Sequence, residues 1–403
     1  MSTPASISAA LICSALAQTP VGFDQARQAA STRAPDVRLG EAREEIARAS
    51  IRATGVWPNP TLTVSTATQT SRLSTGLSQP LPVFGQLGTQ RDAAAADHRA
   101  AQAETTLVRE QARADATLAW LDLWEAQARS ELLAAAATDA ERLASVAKER
   151  FDAGSAPRVD VVRAHAALVQ AKADSATQSA AVGAAGARLE SWLGRSAGGW
   201  RPDGEAKFPA RPPELSSLLD QMDSHPALRH DAERVAAAAA HLRAERRQRV
   251  PTVAAQVTVS AFDPTLPVPG RPDVIGGLSV DLPLFDQRQG LIARAEAEQR
   301  LAVEQSSGDR VRFEAQAKDA FVRAAAASAR VTSFESEVVP SVQQARTMTE
   351  EAYRDGRVDL LRLLDAQRSV LDARLSALDA RAAYARAMAE LERATGADLS
   401  ERR

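Results

Sequence analysis

The sequence has a single cysteine, few aromatic residues and no excess charge of either sign. Because Cys13 stands alone among 403 residues, an intrachain disulfide and a cysteine-based zinc site are both excluded. The 49 basic and 51 acidic residues give a net charge of -2, which argues against a protein that binds nucleic acid by neutralising phosphates. No stretch approaches the roughly 18 consecutive apolar residues of a membrane-spanning helix.

Alanine, by contrast, makes up about a fifth of the chain. It is the best helix former and lets helices approach closely, so long and tightly packed helices are expected. A GC-rich genome would enrich alanine as well, and composition alone does not separate the two explanations. The hydrophobic share of 45% and the charged share of 25% indicate a folded chain rather than wholesale disorder.

The first residues carry an apolar run over 7–16 that ends in a small-x-small sequence at 15–17. This pattern is typical of a signal peptide, here over 1–17, and predicts export from the cytoplasm. No lysine or arginine precedes Arg27, so either the start lies upstream or the run is a buried helix. Cys13 follows a bulky residue where a lipid attachment site needs a small one, and we interpret it as part of the discarded signal.

Two halves of the chain repeat the same order of motifs. The matched positions are Pro35 and Pro226, Pro60 and Pro251, Gly154 and Gly356, and Gly194 and Gly396. The proline pairs lie 191 residues apart and the glycine pairs 202, and the added length falls in the proline-rich loop over 264–272. A repeat this regular indicates two copies of one supersecondary unit, over 18–205 and 206–403.

Each repeat is predicted to contain a helix, a strand pair and a long helical hairpin. The predicted helices have a proline in their first turn and another proline after their last turn. The predicted strands are marked by alternating apolar and polar residues. The predicted bounds are 35–56 and 226–250 for the helices, 60–84 and 251–285 for the strand pairs, and 86–194 and 287–396 for the hairpins. Each strand has about ten residues, a length that suits a tilted membrane strand. Pro340 predicts a kink or break in the second hairpin.

This order of elements resembles the TolC-type outer-membrane efflux family. The resemblance covers about residues 22–397, and the proline–phenylalanine motifs look most like the branch that serves heavy-metal and cation exporters. The sequences that carry it are GVWPNPTLTVS, LSQPLPVFGQLG, DLPLFDQRQGLIARAEAE and YRDGRVDLLRLLDAQRSVLDARLSALDARAAYARAMAELERATG.

The resemblance implies a mainly α fold with a small β part. Long α-helical hairpins would form a periplasmic α-barrel, and four strands per protomer would contribute to a 12-stranded trimeric β-barrel in the outer membrane. The implied function is the exit duct of a tripartite efflux pump, which passively conducts substrates, metal cations among the candidates, to the exterior. The implied partners are two further copies in a homotrimer, a periplasmic adaptor, an inner-membrane transporter and outer-membrane lipid.

A soluble periplasmic coiled-coil adaptor or scaffold is the alternative. Its strands would form a small sheet without a lipid-facing stripe, and deletion of 61–81 would leave it folded. The strand segments contain almost no tyrosine or tryptophan, so the usual aromatic girdle of a barrel is missing.

The resemblance also places a gate near the hairpin turns. By position, Asp160 corresponds to a gate aspartate and Tyr353 to its hydrogen-bond partner on a neighbouring hairpin. Asp365 corresponds to an inward aspartate ring, which would attract cations in a trimer. Arg362 stands where the family often has a second acidic residue, and Val358 replaces a basic residue that often completes the latch, so selectivity and latch strength stay open. The alternative for these residues is a solvated helix end.

The hairpin turns themselves are predicted to dock the adaptor. The residues concerned are Gly154, Arg158, Gly356, Arg357 and Asp359. Exposed small and apolar residues at such turns favour a partner, whereas simple turn chemistry explains the glycines equally well.

No catalytic, cofactor or metal site is predicted. None of the five histidines has a second histidine four residues away on one helix face. Phosphate-binding glycine loops and nucleophile elbows are missing from the sequence as well. We therefore expect a protein that is not an enzyme, uses no cofactor and has no nucleic-acid partner.

Overall fold

A computed structural model describes residues 19–66, 73–194, 199–261 and 272–400. The predicted signal peptide with Cys13, the start of a strand at Arg72 and nearly all of the loop over 264–272 lie outside these described residues. The elements, in chain order, are β1 (Thr19–Gly22), α1 (Phe23–Arg33), α2 (Pro35–Ala53), β2 (Thr61–Ser65), β3 (Leu73–Leu81), α3 (Gln86–Asp152), α4 (Arg158–Leu193), β4 (Trp200–Asp203), α5 (Leu215–Asp220), α6 (Pro226–Arg247), β5 (Thr252–Ala261), β6 (Asp273–Asp281), α7 (Gln289–Ser333), α8 (Val339–Arg354) and α9 (Leu360–Thr395).

Both hairpins turn through the same backbone motif. Gly154 and Gly356 adopt a φ of 72°, a left-handed conformation that glycine reaches without strain. The amide of each glycine donates to the carbonyl three residues earlier, at 2.9 and 3.0 Å. The next amide donates to the carbonyl five residues earlier, at 2.8 Å in both turns. These two bonds form a Schellman motif, so the sequence repeat is also a repeat of backbone geometry.

The second hairpin contains the break that Pro340 predicts. A π-helical turn, Phe334–Val338, separates α7 from α8, and Pro340 lies in the first turn of α8. Proline has no N–H to donate, and its ring clashes with the carbonyl four residues earlier, so the regular helical ladder cannot continue through it. The predicted interruption of this helix is confirmed.

Several short elements, among them β1, α1 and β4, were not predicted from the sequence. Strands β1 and β4 pair in parallel, and α1 follows β1 directly. Trp120 anchors them, because its indole Nε1 donates to the Val21 carbonyl at 2.9 Å and its ring meets Phe23 edge-on at 5.2 Å. Trp120 is fully buried and belongs to the core.

The chain divides into two compact units. The first combines the segment that ends at Val37 with Arg109–Asp220 and the segment that begins at Gln316, and the second combines Arg38–Val108 with Gln221–Ala315. Each unit therefore contains parts of both sequence repeats. Among the described residues, no helix is long and apolar enough to cross a membrane.

Alanine makes the helix contacts close, as its abundance predicts. In the second unit, α3 and α6 meet through a buried cluster that consists of alanine alone: Ala93, Ala96, Ala237, Ala240 and Ala244. The first unit has a larger core around Trp120, Leu189 and Met388. Small side chains at the α3–α6 contact let the two backbones approach without leaving voids.

Candidate functional site

The four longer strands form one antiparallel sheet in the order β2-β3-β5-β6. Pairing of β3 with β5 joins the strand pairs of the two repeats, from Leu73 opposite Ala261 to Leu81 opposite Val253. The outer strands β2 and β6 each have one edge that pairs with no other described strand. Unpaired edges of this kind bind further strands readily.

The register of the sheet separates its side chains into two faces of opposite character, because cross-strand partners point to the same side. One face, called the apolar face below, carries Leu62, Val64, Leu73, Thr75, Leu77, Gln79, Leu81, Val253, Ala255, Val257, Val259, Ala261, Val274, Gly276, Leu278 and Val280. The other, called the polar face, carries Thr61, Thr63, Ser65, Ser74, Gly76, Ser78, Pro80, Thr252, Ala254, Gln256, Thr258, Ser260, Asp273, Ile275, Gly277, Ser279 and Asp281.

The apolar face is open to its surroundings rather than covered by a helix. Leu62 is 64% exposed and Leu278 is 71% exposed, and Val64, Val274 and Val280 are exposed as well. A contiguous exposed apolar surface is unfavourable in water and marks contact with an apolar phase or partner. Ile275 is the exception, a large apolar residue on the polar face.

Aromatic residues lie beyond the strands, at one end of the sheet. Trp57 precedes β2, Phe84 follows β3 and Phe285 follows β6, and all three are exposed. β2 begins at the same end at which β3 and β6 finish. The strands β2, β3, β5 and β6 contain neither tyrosine nor tryptophan, so the aromatic residues nearest to this sheet lie just beyond its strands.

The structure places the two candidate gate residues in different surroundings. Tyr353 is only 8% exposed and packs with Leu143, Leu360 and Leu363, with the Arg150 guanidinium 4.7 Å from its ring centre. Asp160 is half-buried in the first turn of α4. Within one chain, no hydrogen bond between described residues joins the two side chains, so a latch between them would need another hairpin.

The remaining predicted residues are exposed, and one of them has a local structural role. Asp359 caps α9, because its Oδ1 accepts a hydrogen bond from the Arg362 amide at 3.2 Å. Arg357 forms an ion pair with Asp355 inside the turn. Asp365 lies further along α9 and lines a cavity of about 650 Å³ between α3, α4, α8 and α9. Gly154, Arg158 and Gly356 are exposed at the turns.

Histidine does not gather into a metal site in the part of the chain that the structure describes, where no three histidine, cysteine or acidic residues group to hold an ion. His225 caps α6, since its Nδ1 accepts from the Ala227 amide at 3.1 Å. The Nε2 of His241 lies 2.8 Å from the Asp97 carboxylate on the surface. His225 therefore has a structural role at the start of a helix.

A charged cluster in the first unit was not predicted, because its members lie far apart in the sequence. Arg27 on α1 is almost fully buried and contacts Glu392 on α9, with Asp398 3.4 Å away. Arg113 lies 2.8 Å from Asp398 and 3.7 Å from Glu392. Burial raises the pKa of Glu392 to about 7, against the pull of both guanidinium groups. Burial also acts on Asp398, but hydrogen bonds from Ser400 and Arg113 hold its pKa well below the usual range.

This cluster predicts that the stability of the first unit depends on pH. Folded Glu392 retains a proton up to about pH 7, whereas the unfolded side chain loses it near its ordinary pKa of 4.5. Its contribution to stability is therefore complete below pH 4.5 and is lost as the pH rises through 7. Asp398, with its lowered pKa, contributes in the opposite sense, and its contribution is lost only under strongly acidic conditions.

The melting temperature of the wild type should fall between about pH 5 and 8. We expect this fall to be smaller by about 2 °C or more in Glu392→Gln, measured by circular dichroism in detergent. Glu390→Gln is the matched control, because Glu390 lies two residues away, is half-buried and pairs with Arg323. Equal slopes for the wild type and both variants would contradict the assignment of Glu392.

Comparison with known proteins identifies the family. A family model described as outer membrane efflux protein matches residues 26–195 and 220–397. The cobalt-zinc-cadmium resistance protein CzcC of Cupriavidus metallidurans is 25% identical over 324 residues, which span 78% of this chain and 75% of that protein.

Solved structures share the fold. A membrane protein from Pseudomonas aeruginosa has a TM-score of 0.75 and 21% identity, over 93% of each chain. The outer membrane protein VceC of Vibrio cholerae has a TM-score of 0.74 and 19% identity, over 94% of this chain and 97% of that one. The predicted mainly α fold with a small β part is confirmed, and so is the location in the outer membrane with extension into the periplasm. With both sequence repeats matched by the family model, the chain belongs to the outer membrane efflux protein family.

Proposed function

We propose that the chain is the exit duct of a tripartite efflux pump, formed by three copies. The observation that carries this proposal is the separation of the sheet into an exposed apolar face and a polar face. An apolar face toward lipid and a serine- and threonine-rich face toward a water-filled interior is the pattern of a transmembrane barrel.

The order of the strands supports closure by three copies. β6 runs antiparallel to β2, so β6 of one copy and β2 of the next have the right directions to continue an antiparallel sheet. Three copies joined in this way make a 12-stranded barrel. Closure matters because an open edge in the hydrocarbon leaves amide and carbonyl groups without partners, at several kcal/mol each. The helical hairpins would line the periplasmic tunnel.

Isolation of the protein from membranes tests this proposal. The duct should be recovered in the outer-membrane fraction as a trimer that resists heating in detergent, and it should conduct ions in a planar bilayer. Recovery of a soluble monomer would refute it. Deletion of 61–81 also separates the duct from the periplasmic adaptor, since only the adaptor would keep its fold and activity without these strands.

Metal cations are the substrates that we propose for the duct. The relative CzcC is a cobalt-zinc-cadmium resistance protein, and three copies of exposed Asp365 would concentrate cations at the tunnel entrance. In a host that lacks its own duct of this type, the chain should raise tolerance of cobalt, zinc or cadmium when its pump partners are supplied. Unchanged tolerance of all three metals would remove them as substrates.

Asp365→Asn should reduce the preference of the reconstituted channel for cations. The three carboxylates would act together at the axis, so a shift in reversal potential under a salt gradient is expected, by about 10 mV or more. Asp372→Asn is the matched control, because Asp372 is exposed on the same helix about 10 Å further from the turn. Equal shifts for both variants would contradict a ring at Asp365.

We propose Asp160 and Tyr353 as parts of the gate between neighbouring hairpins. Tyr353→Phe keeps the ring in its buried cluster and removes only the hydroxyl, and Asp160→Asn removes only the charge. Each change should weaken the closed state and raise ion leakage several-fold, since a charge-assisted hydrogen bond contributes about 1.5–3 kcal/mol. Unchanged single-channel conductance and open time in both variants would exclude these residues from the gate.

The exposed hairpin turns are the surface that we propose for the adaptor. The residues at the two hairpin turns that are exposed are Gly154, Arg158, Gly356, Arg357 and Asp359. Photo-crosslinking from Arg158 and Arg357 to the co-expressed adaptor measures this contact, and the absence of adducts at both positions would rule it out.

A further inference from the structure

All four longer strands meet the helices at one end of the sheet, called the sheet base below. β2 and β5 begin there, and β3 and β6 finish there, as the register shows. In the second unit, α2 and α6 end near this base, and α3 and α7 begin near it. A nine-residue strand such as β3 extends about 30 Å, or about 23 Å when tilted, so a sheet that spans the hydrocarbon must have its base at the headgroups.

Aromatic side chains surround the sheet base at the level where the apolar face ends. Trp57 is 56% exposed, Phe84 41% and Phe285 93%. Exposed aromatic rings at the boundary between an apolar band and a polar region are typical of the membrane–water interface. Leu282 and Leu284 beside Phe285 are exposed as well. Exposure of these side chains to water is unfavourable.

A basic cavity of about 540 Å³ is lined in part by Gly85, the residue that follows Phe84 in the sequence. The first turns of α3 form one wall, and Arg243, Arg246 and Arg247 at the end of α6 form the other. Gly85 makes room for this approach, because a Cβ at that position would lie 3.3 Å from Nη2 of Arg247. Asp92 is the one carboxylate among the described lining residues.

The arginines of this cavity differ in their pairing. Arg246 forms an ion pair with Glu296 at 2.7 Å. In the part of the chain that the structure describes, neither Arg243 nor Arg247 has a carboxylate within 4.0 Å. Two guanidinium groups with no described carboxylate within 4.0 Å line a cavity that begins at Gly85, one residue after the exposed Phe84. This arrangement complements a ligand that has an anionic head and an apolar body.

We propose that this cavity binds the phosphate of an anionic phospholipid in the periplasmic leaflet. The guanidinium groups of Arg243 and Arg247 would hold the phosphate oxygens, a pairing for which their planar donors are suited. Phe84, the residue before Gly85 of the cavity, would contact the glycerol and the first methylenes of the acyl chains. This inference rests on the proposed function, because it needs the sheet base at the level of the headgroups.

Lipid binding to the full-length trimer tests the site. The trimer in neutral detergent is titrated with dioleoylphosphatidylglycerol, with dioleoylphosphatidylcholine and with inorganic phosphate, and retained lipid is counted by native mass spectrometry. We expect wild type to prefer phosphatidylglycerol about tenfold, and the variant Arg243→Gln/Arg247→Gln to lose this preference. Inorganic phosphate should not displace the lipid, because it lacks the apolar contacts.

Two further variants make the test specific. Arg229→Gln is the matched control, since Arg229 is exposed on α6 about 21 Å along the helix from Arg243. It should retain the full preference. Asp92→Asn removes the opposing carboxylate and should raise the affinity for phosphatidylglycerol about twofold or more, a gain that misfolding would not produce.

Several outcomes would overturn the site. These are an unchanged preference in Arg243→Gln/Arg247→Gln, an equal loss in Arg229→Gln, or displacement by millimolar inorganic phosphate, which would identify a site for a free anion. Any one of these results, obtained with trimers that resist heating and conduct ions, refutes the lipid site and leaves the proposed duct intact. Failure of the wild type itself to form trimers in the outer membrane refutes the duct and the lipid site together.

Discussion

Val257→Arg is expected to remove the protein from the outer membrane, whereas Thr258→Arg, one residue further along β5, is expected to leave it there. The two substituted positions are neighbours in the same strand, and both receive the same new side chain. Val257 lies on the apolar face in one row with Leu62 and Leu77, and Thr258 lies on the polar face opposite Gly76.

The expected difference follows from the solvent that each face meets. An arginine on the lipid side of a barrel costs about 2–4 kcal/mol near the bilayer midplane, and Val257 is the sixth of the ten residues of β5. The cost is incurred three times in a trimer. An arginine at Thr258 would point into a hydrated interior, where its charge stays solvated.

Fractionation of cells that express each variant measures the effect. Heat-resistant trimer in the outer-membrane fraction should fall at least tenfold for Val257→Arg and by less than about twofold for Thr258→Arg. Val257→Thr provides a third comparison, since it keeps the shape of the side chain and should be tolerated. Equal yields from the two arginine variants would show that the apolar face does not contact lipid.

How much of this site the sequence could reveal depends on the range of the interactions involved. Alternation within a strand is local, so β2 and β5 were recognisable from their period-two patterns. Pairing of β3 with β5 joins segments that lie far apart in the chain, and no local signal specifies it. Only this register unites two short apolar stripes into one continuous face.

Short strands whose partners lie far away in the chain are also difficult to predict from the sequence. β1 has four residues, TPVG, too few for a periodic signal, and its partner β4 is about 180 residues away. The cluster around Arg27 escaped for a similar reason, since its partners on α9 and beyond lie more than 360 residues further along. Tyr353 was placed at the hairpin turn by family resemblance, but its burial among leucines depends on tertiary packing.

Arg27→Met is expected to lower the free energy of unfolding by about 3 kcal/mol, the largest stability loss that we predict for a single side chain. The Arg27 side chain is 4% exposed, contacts Glu392 and stacks against Phe23 at 5.2 Å. Methionine fills a similar volume, so the change removes charge rather than packing. Glu392 and Asp398 would then lose one of the two guanidinium groups that face them, in a site that is mostly shielded from water.

Replacement of both Arg27 and Glu392 tests the effect of charge separately from the effect of side-chain volume. Among the described residues, no hydrogen-bond partner contacts the buried Nε and Nη1 of Arg27 or the buried Oε2 of Glu392, so the pair itself is incompletely satisfied. The double variant Arg27→Met/Glu392→Met should therefore recover most of the stability lost in Arg27→Met, because no uncompensated buried charge remains. Asp398 keeps its ion pair with Arg113 in this background.

Chemical unfolding in detergent at about pH 8, where Glu392 is ionised, measures these differences by circular dichroism. Arg393→Met is the matched control, because Arg393 is the next residue after Glu392, pairs with Asp115 at 3.2 Å and is half exposed. It should cost no more than about 1 kcal/mol, as exposed ion pairs do. A loss in Arg27→Met no larger than that in Arg393→Met would mean that the cluster does not hold α1 against α9. A double variant less stable than Arg27→Met would mean that the ion pair itself, rather than relief from an unpaired charge, stabilises this part of the protein.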